Sequence, residues 1–256
     1  MKTKLVLNNL GYNDGLKIWQ DKSMFNYSVD TILLGNFLTI NHKTTRMLEI
    51  GANNAALSIF VAHRDPKITI DAVEIQRKAT ILAQENVNLN KKEQQIRIIC
   101  QDFNTFWKQQ NKQVARKYQL IFANPPYYKQ DTKIIKKVSS ELKRAIYEID
   151  LNLEQLVFGS SKIIEQKGRL ALVLPIERFV DIIEVLRKHN FEPKKIQFVA
   201  PRIAQAIKFV LIESQFNAPW GTHYLPTLYL HPKNKNKHTY RKEVQKLYVS
   251  KRRKNV

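Results

Sequence analysis

Asn124-Pro125-Pro126-Tyr127 directly follows the apolar run 120–123. That position is the carboxyl end of a predicted buried strand, the end of an α/β sheet at which ligands bind. The residue types suit one task. An exocyclic or amide nitrogen is a weak nucleophile, because its lone pair is delocalised into the adjoining π system. The side-chain oxygen of Asn124 and the main-chain carbonyl of Pro125 can accept both N–H bonds of a planar amino group and hold its lone pair toward an electrophile. The Pro125-Pro126 pair stiffens the backbone carrying that carbonyl. Tyr127 offers a ring on which a planar substrate can stack.

The elements that must position this group are legible as alternating patterns. Short apolar runs at 47–50, 68–74, 96–100, 120–123 and 170–174 read as strands buried on both faces. Between them, 54–62, 77–90 and 153–165 carry apolar residues at helical spacing. This is the βαβ rhythm of a parallel sheet. After the fifth strand come a predicted helix at 177–189 and two strands, 196–199 and 207–213, with no helix between them. The expected fold class is therefore α/β: a mostly parallel seven-stranded sheet ending in an antiparallel hairpin, with helices on both faces. That sheet resembles the one in Rossmann-like class I methyltransferases.

A strand ending in Asn-Pro-Pro-Tyr resembles the corresponding motif of S-adenosylmethionine-dependent enzymes that methylate adenine N6 or glutamine N5. The resemblance extends upstream. Glu49-Ile50-Gly51-Ala52-Asn53-Asn54-Ala55 stands where that family has an acidic residue and a Gly-rich turn, with Asn53 and Ala55 in place of its second and third glycines. Asn tolerates left-handed backbone and Ala is small, so the turn remains feasible. By the same resemblance Glu74 would bind the cofactor ribose, and Asp102 would accept from the cofactor adenine with Phe103 as a stacking face. Gly51, Glu74, Asp102 and Asn124 then recur at one βα unit apiece, an order harder to obtain by chance than any single motif.

Taken whole, the chain most resembles the small bacterial tRNA methyltransferases that make N6-methyladenosine at adenine 37, beside the anticodon of a valine tRNA. The likeness includes Gln20-Asp21, the stretch from Phe25 to Leu34, Leu174-Pro175-Ile176-Glu177-Arg178, and Leu211-Ile212-Glu213. It implies that Asp30 and its neighbours close over the cofactor. It also implies transfer of a methyl group from S-adenosylmethionine to an unpaired adenine held by Asn124, Pro125, Pro126 and Tyr127. Ser28 is placed to cap a helix spanning part of 24–40.

Charge agrees with an acidic partner. Lys plus Arg is 43 against 22 for Asp plus Glu, a net charge of +21. Lys129, Lys133, Lys136, Lys137 and Arg144 follow the motif, and Arg241, Lys242, Arg252 and Arg253 belong to a basic tail. These are candidate phosphate contacts, suited to holding tRNA without reading its sequence. Tyr240 and Tyr248 interleave the tail charges.

Cys100 is the sole cysteine, which excludes an internal disulfide and any Cys-rich zinc site. The six histidines show no metal-ligand spacing, so no metal is expected. No stretch approaches the roughly 20 apolar residues of a membrane span. The expectation is an unexported protein of a reducing cytoplasm.

Three parts are expected: an N-terminal segment, 1–45, packing over the cofactor site; a methyltransferase domain, 46–231; and the basic tail, 232–256. Three other readings stay open at this point. One is glutamine methylation of a release factor, although enzymes of that kind carry an extra helical domain that 1–45 is too short to supply. Another is adenine methylation of DNA or rRNA. The third is an RNA-binding module without catalysis, suggested by the missing glycines at Asn53 and Ala55.

Overall fold

The computed structural model describes residues 5–11, 15–24, 26–113, 116–125 and 151–249. At its centre lies an eight-stranded sheet. Five parallel strands, β3 (Arg46–Ile50), β4 (Thr69–Glu74), β5 (Ile96–Cys100), β6 (Tyr118–Ala123) and β7 (Ile164–Pro175), are followed by β8 (Phe191–Ala200) and β9 (Phe209–Phe216). A small separate sheet pairs β1 (Leu5–Asn9) with β2 (Lys17–Asp21), antiparallel.

The order of the main sheet is β10-β8-β9-β7-β6-β3-β4-β5, where β10 is His223–Tyr229. Strand β9 lies between β7 and β8 and runs against both, which is the expected terminal hairpin. The edge strand β10 enlarges the expected seven strands to eight. It pairs parallel to β8 with a register shift between Leu225 and Leu228. Pro226 lies inside it, and an edge is where a sheet tolerates a proline. That proline, together with an exposed and unalternating pattern, conceals the strand from a reading of hydrophobic period.

Alternate residues of each strand feed opposite faces. Met47, Leu120, Phe122, Ala171 and Val173 join one core with α1 (Val29–Phe37), α2 (Ala56–Ala62) and α3 (Arg77–Leu89). Leu48, Ile121, Ala123, Leu170 and Leu172 join the other, with α4 (Phe103–Lys112), α5 (Leu153–Ile163) and α6 (Phe179–Lys188). Each of the larger of these side chains, Val, Leu, Ile, Met and Phe, contributes roughly 1.5–3 kcal/mol over exposure. At Gly159 the packing of α5 on α4 leaves no room for a Cβ, which would meet Trp107 Cδ1 at 2.5 Å.

The N-terminal segment is bound to this body at several points. Asn86 of α3 and Asn90, which caps its C-terminus, hydrogen-bond the backbone of β2, and Lys78 pairs with Asp21 at 3.3 Å. Beyond the last turn of α1, the Thr39 N–H donates to the buried Glu213 carboxylate at 2.7 Å. Glu213 also takes Arg169 at 3.0 Å and Lys195 at 3.5 Å. Ser28 occupies the N-cap position of α1 but does not cap it; its hydroxyl donates to Asp30 instead.

Residues 232–249 fold back onto the body. Val244, on the short helix α7 (Lys242–Gln245), is fully buried in the first core, and Tyr240, Leu247 and Tyr248 pack beside it. Arg202, itself buried, donates through its guanidinium to the carbonyls of Pro232, Asn234, Lys235 and Lys237.

Candidate active site

The carboxyl ends of β3, β4, β5 and β6 open into a single cleft. Glu49, Gly51, Asn53, Glu74, Asp102, Phe103, Asn124 and Pro125 all line it. Eight residues singled out along 77 positions of sequence, from 49 to 125, are thus brought to one wall system by four consecutive βα units.

The first turn, between β3 and α2, is shaped by three left-handed residues. Gly51 has φ +72°, Asn53 +48° and Ala55 +62°. These are the three positions at which glycine would be expected, so Asn53 and Ala55 adopt the required backbone without being glycine. A non-glycine residue pays about 1 kcal/mol or more for that conformation. The N–H groups of Gly51 and Ala52 both donate to the Val73 carbonyl, at 2.9 and 3.1 Å, which fixes the turn to β4. A Cβ on Gly51 would meet nothing within 4 Å, so the glycine faces open space.

Glu74 ends β4 and braces two turns. One carboxylate oxygen accepts from the Asn53 N–H at 2.9 Å and the other from the Gln76 N–H at 2.8 Å. Asp102 caps α4, with Oδ1 accepting from the Thr105 N–H at 2.8 Å and its hydroxyl at 3.1 Å. Glu49 is buried, 3% exposed, and accepts from the Ser58 hydroxyl. Loss of hydration pushes its carboxyl up to about 8; the Ser58 bonds oppose this and repulsion from Glu74 adds to it.

Glu49, Glu74 and Asp102 bring three carboxyls to the cleft, whereas no lysine, arginine or histidine is among the described residues lining it. This is notable in a chain of net charge +21. Apolar surface comes from Ile75, 38% exposed, and from Phe103. Carboxylates for hydroxyl and amino donors, apolar faces for a purine, and no cation to repel positive charge together fit S-adenosylmethionine, a nucleoside bearing a sulfonium.

Several contributors carry no signal of their own in the sequence. Tyr27 and Thr31, leading into and opening α1, line the cleft, as do Ile75, Leu57 and Leu151. Asp30 does not line it; its carboxylate, 2% exposed, accepts from the Thr31 N–H at 2.8 Å. Phe103 is 4% exposed and largely sunk in the second core. Arg241 pairs with Glu243, and Lys242 is exposed on α7. Pro126, Tyr127, Lys129, Lys133, Lys136, Lys137, Arg144, Arg252 and Arg253 lie outside the described residues. Among the described residues no cluster of His, Cys, Asp and Glu could hold a metal ion, and no helix is long and apolar enough to cross a membrane.

The model of the methyltransferase small domain family matches residues 16–195. The chain belongs to this family. The match runs from β2 into β8 and so contains every strand end that lines the cleft. Among similar members, the tRNA1(Val) (adenine(37)-N6)-methyltransferase of Parabacteroides distasonis is 28% identical over 77% of this chain and 79% of its own. The protein of the same name from Tolumonas auensis is 31% identical over 62% of each. A solved structure from Agrobacterium tumefaciens, titled a predicted O-methyltransferase, superposes with a TM-score of 0.67 at 17% identity, covering 87% of this chain and 97% of that one. The family fold is thus the Rossmann-like class I methyltransferase sheet, and the chain is a methyltransferase using S-adenosylmethionine.

Proposed function

We propose that this enzyme methylates N6 of an adenine in tRNA, at adenine 37 beside the anticodon of a valine tRNA. The observation that carries this reading is the contrast between a cleft with three carboxyls and, among its described lining residues, no cation, and a protein otherwise rich in lysine and arginine. The first suits a cationic nucleoside cofactor and the second a polyanionic substrate. The relatives named above supply the position of the target base.

When bound, S-adenosylmethionine supplies an electrophilic methyl group on its sulfonium. The residues of this chain bind and align. Glu74 would hold the ribose hydroxyls and Asp102 the adenine amino group, while Gly51 and Asn53 shape the turn beside them and Ile75 and Phe103 would form apolar walls. Asp30, through Thr31 and Tyr27, sets the N-terminal side. Asn124 and Pro125 accept the N6 hydrogens of the target adenine and direct its lone pair, and Tyr127 stacks on the base. Alignment of this kind is worth effective molarities of about 10⁵ M or more, so no strong base is required. In this scheme residues 1–45 cover the cofactor, 46–231 perform the transfer and 232–256 hold RNA. Arg241, Lys242, Arg252 and Arg253 of the tail, with Lys129, Lys133, Lys136, Lys137 and Arg144 after the motif, contact phosphates.

The test is methyl transfer from labelled S-adenosylmethionine to total tRNA, genomic DNA and a release factor in parallel, followed by nucleoside digestion. N6-methyladenosine in tRNA alone is the expected product. Label in DNA or in protein would overturn the substrate while keeping the chemistry.

A further inference from the structure

A second groove adjoins the cleft, and Tyr27 lines both. We propose that this groove seats an unpaired nucleotide of the RNA strand next to the base that enters the cleft. The proposal rests on the reading of RNA as substrate.

Three observations carry it. First, the rings of His231, Tyr240 and Tyr248 form a ladder along the groove. His231 and Tyr240 stack at 5.1 Å and 21°, and Tyr240 and Tyr248 at 5.6 Å and 26°. All three are half-buried, so each keeps surface toward the groove. Tyr240 is stacked on both of its neighbours, so a base would extend the ladder at its outer rings, and such a ring accepts any base by stacking.

Second, polarity reverses between the two hollows. Among their described lining residues, the cleft has carboxyls and no cation, and the groove has the exposed Lys208 and no carboxylate. A cationic nucleoside and a phosphate strand would sort between them on charge alone.

Third, Gln20 lines the groove and is 8% exposed. Its Oε1 accepts from Asn8 Nδ2 at 2.7 Å, and its Nε2 has no partner among the described residues. A buried donor left unmade costs on the order of 1–3 kcal/mol, so the site lacks an acceptor. A base carbonyl or ring nitrogen supplies one. Tyr27 is held at the junction by its hydroxyl, which donates to the Asn9 carbonyl at 2.6 Å.

The experiment is photocrosslinking and binding of a hairpin RNA carrying thiouridine in its unpaired loop, with the cofactor product S-adenosylhomocysteine present. Crosslinks at Tyr27, His231 or Tyr240 are expected, together with about tenfold weaker RNA binding in Tyr240→Leu and unchanged binding of S-adenosylhomocysteine. Lys208→Gln, a surface change that leaves the fold alone, should weaken RNA binding and flatten its salt dependence. Gln20→Leu should keep or raise thermal stability while lowering RNA affinity; lower stability with intact affinity would mark Gln20 as structural. Full affinity in Lys208→Gln and in folded Tyr240→Leu, with crosslinks elsewhere, would overturn the groove. Failure of the wild type to methylate tRNA would instead overturn the proposed function, and the crosslinks would still locate the RNA.

Discussion

Asn86 holds Trp19 by both of its backbone groups: Oδ1 accepts from the Trp19 N–H at 2.7 Å, and Nδ2 donates to the Trp19 carbonyl at 3.0 Å. One helical turn later, Asn90 treats Lys17 the same way, at 3.0 and 2.7 Å. The i, i+4 spacing of a helix face thereby meets the i, i+2 spacing of a strand edge. Helix α3 acts as the missing partner strand of β2.

This makes Asn86→Ala the more damaging of two similar substitutions. Asn86 is fully buried, and its Nδ2 also bonds the Asn54 carbonyl at 3.0 Å. Its loss removes the side-chain partner of the part-buried Trp19 N–H and of the buried Asn54 carbonyl, and leaves the Trp19 carbonyl only the longer bond from Asn54 Nδ2 at 3.5 Å; at about 1–3 kcal/mol for each group left unmade, a total of roughly 3 kcal/mol is expected. Asn90 is half-buried, and its replacement should cost about 1 kcal/mol. Urea unfolding of the two variants checks the order; equal costs would refute it.

Glu49 makes stability depend on pH in an unusual sense. Its carboxyl is raised from 4.5 to about 8 by burial. Between those values the native chain keeps a proton that the unfolded chain has released, so stability falls as pH rises through that window. The decline should reach at least about 1 kcal/mol by pH 8, and Glu49→Gln should flatten it. Denaturation midpoints of both proteins at about pH 5, 6.5 and 8 provide the measurement.

Asn124→Ala should bind S-adenosylmethionine as tightly as the parent and slow single-turnover transfer on the order of a hundredfold or more, as expected when one aligning group is removed. Calorimetry and quench-flow kinetics separate the two effects. Near-normal transfer would sink the role given to this side chain.

The basic tail calls for charge substitutions rather than truncation, since removing 233–256 would strip Val244 from the core. Lys233, Lys235, Lys237 and Lys242 are exposed. Changing all four to Gln should lower the slope of log Kd against log salt by roughly 0.7 for each phosphate they neutralise, with thermal stability unchanged. A parental slope would show that this loop does not touch RNA.

What can be read from the chain follows burial. Strands β3, β4 and β6 begin within two residues of their predicted starts, because strands buried on both faces are largely apolar runs; β5 spans 96–100 as expected but is the sheet's edge, half-exposed and interrupted by Arg97, not the strand buried on both faces that its apolar residues suggest. The residues at their ends follow directly, which is why the cleft is legible. Helix α4 is absent from the expected elements: of its ten residues only Phe103 and Phe106 are buried, too few to show a period. Its signal is Asp102, whose spacing to Thr105 is that of an N-cap. Strand β1 buries none of its residues and carries no hydrophobic alternation toward a core. The ties that seat it, from Asn86, Asn90 and Lys78 to β2, join residues more than 50 positions apart, beyond the reach of any local pattern.

Arg202 grips the loop after β10 solely by main-chain oxygens, those of Pro232, Asn234, Lys235 and Lys237. Every amino acid has a carbonyl, so the mount is indifferent to which side chains the loop displays. The lysines at 233, 235 and 237 can therefore be exchanged by mutation, and the charge of that surface retuned, while the loop keeps its shape. Arg202 itself has no such freedom, because one substitution there releases all four anchor points at once.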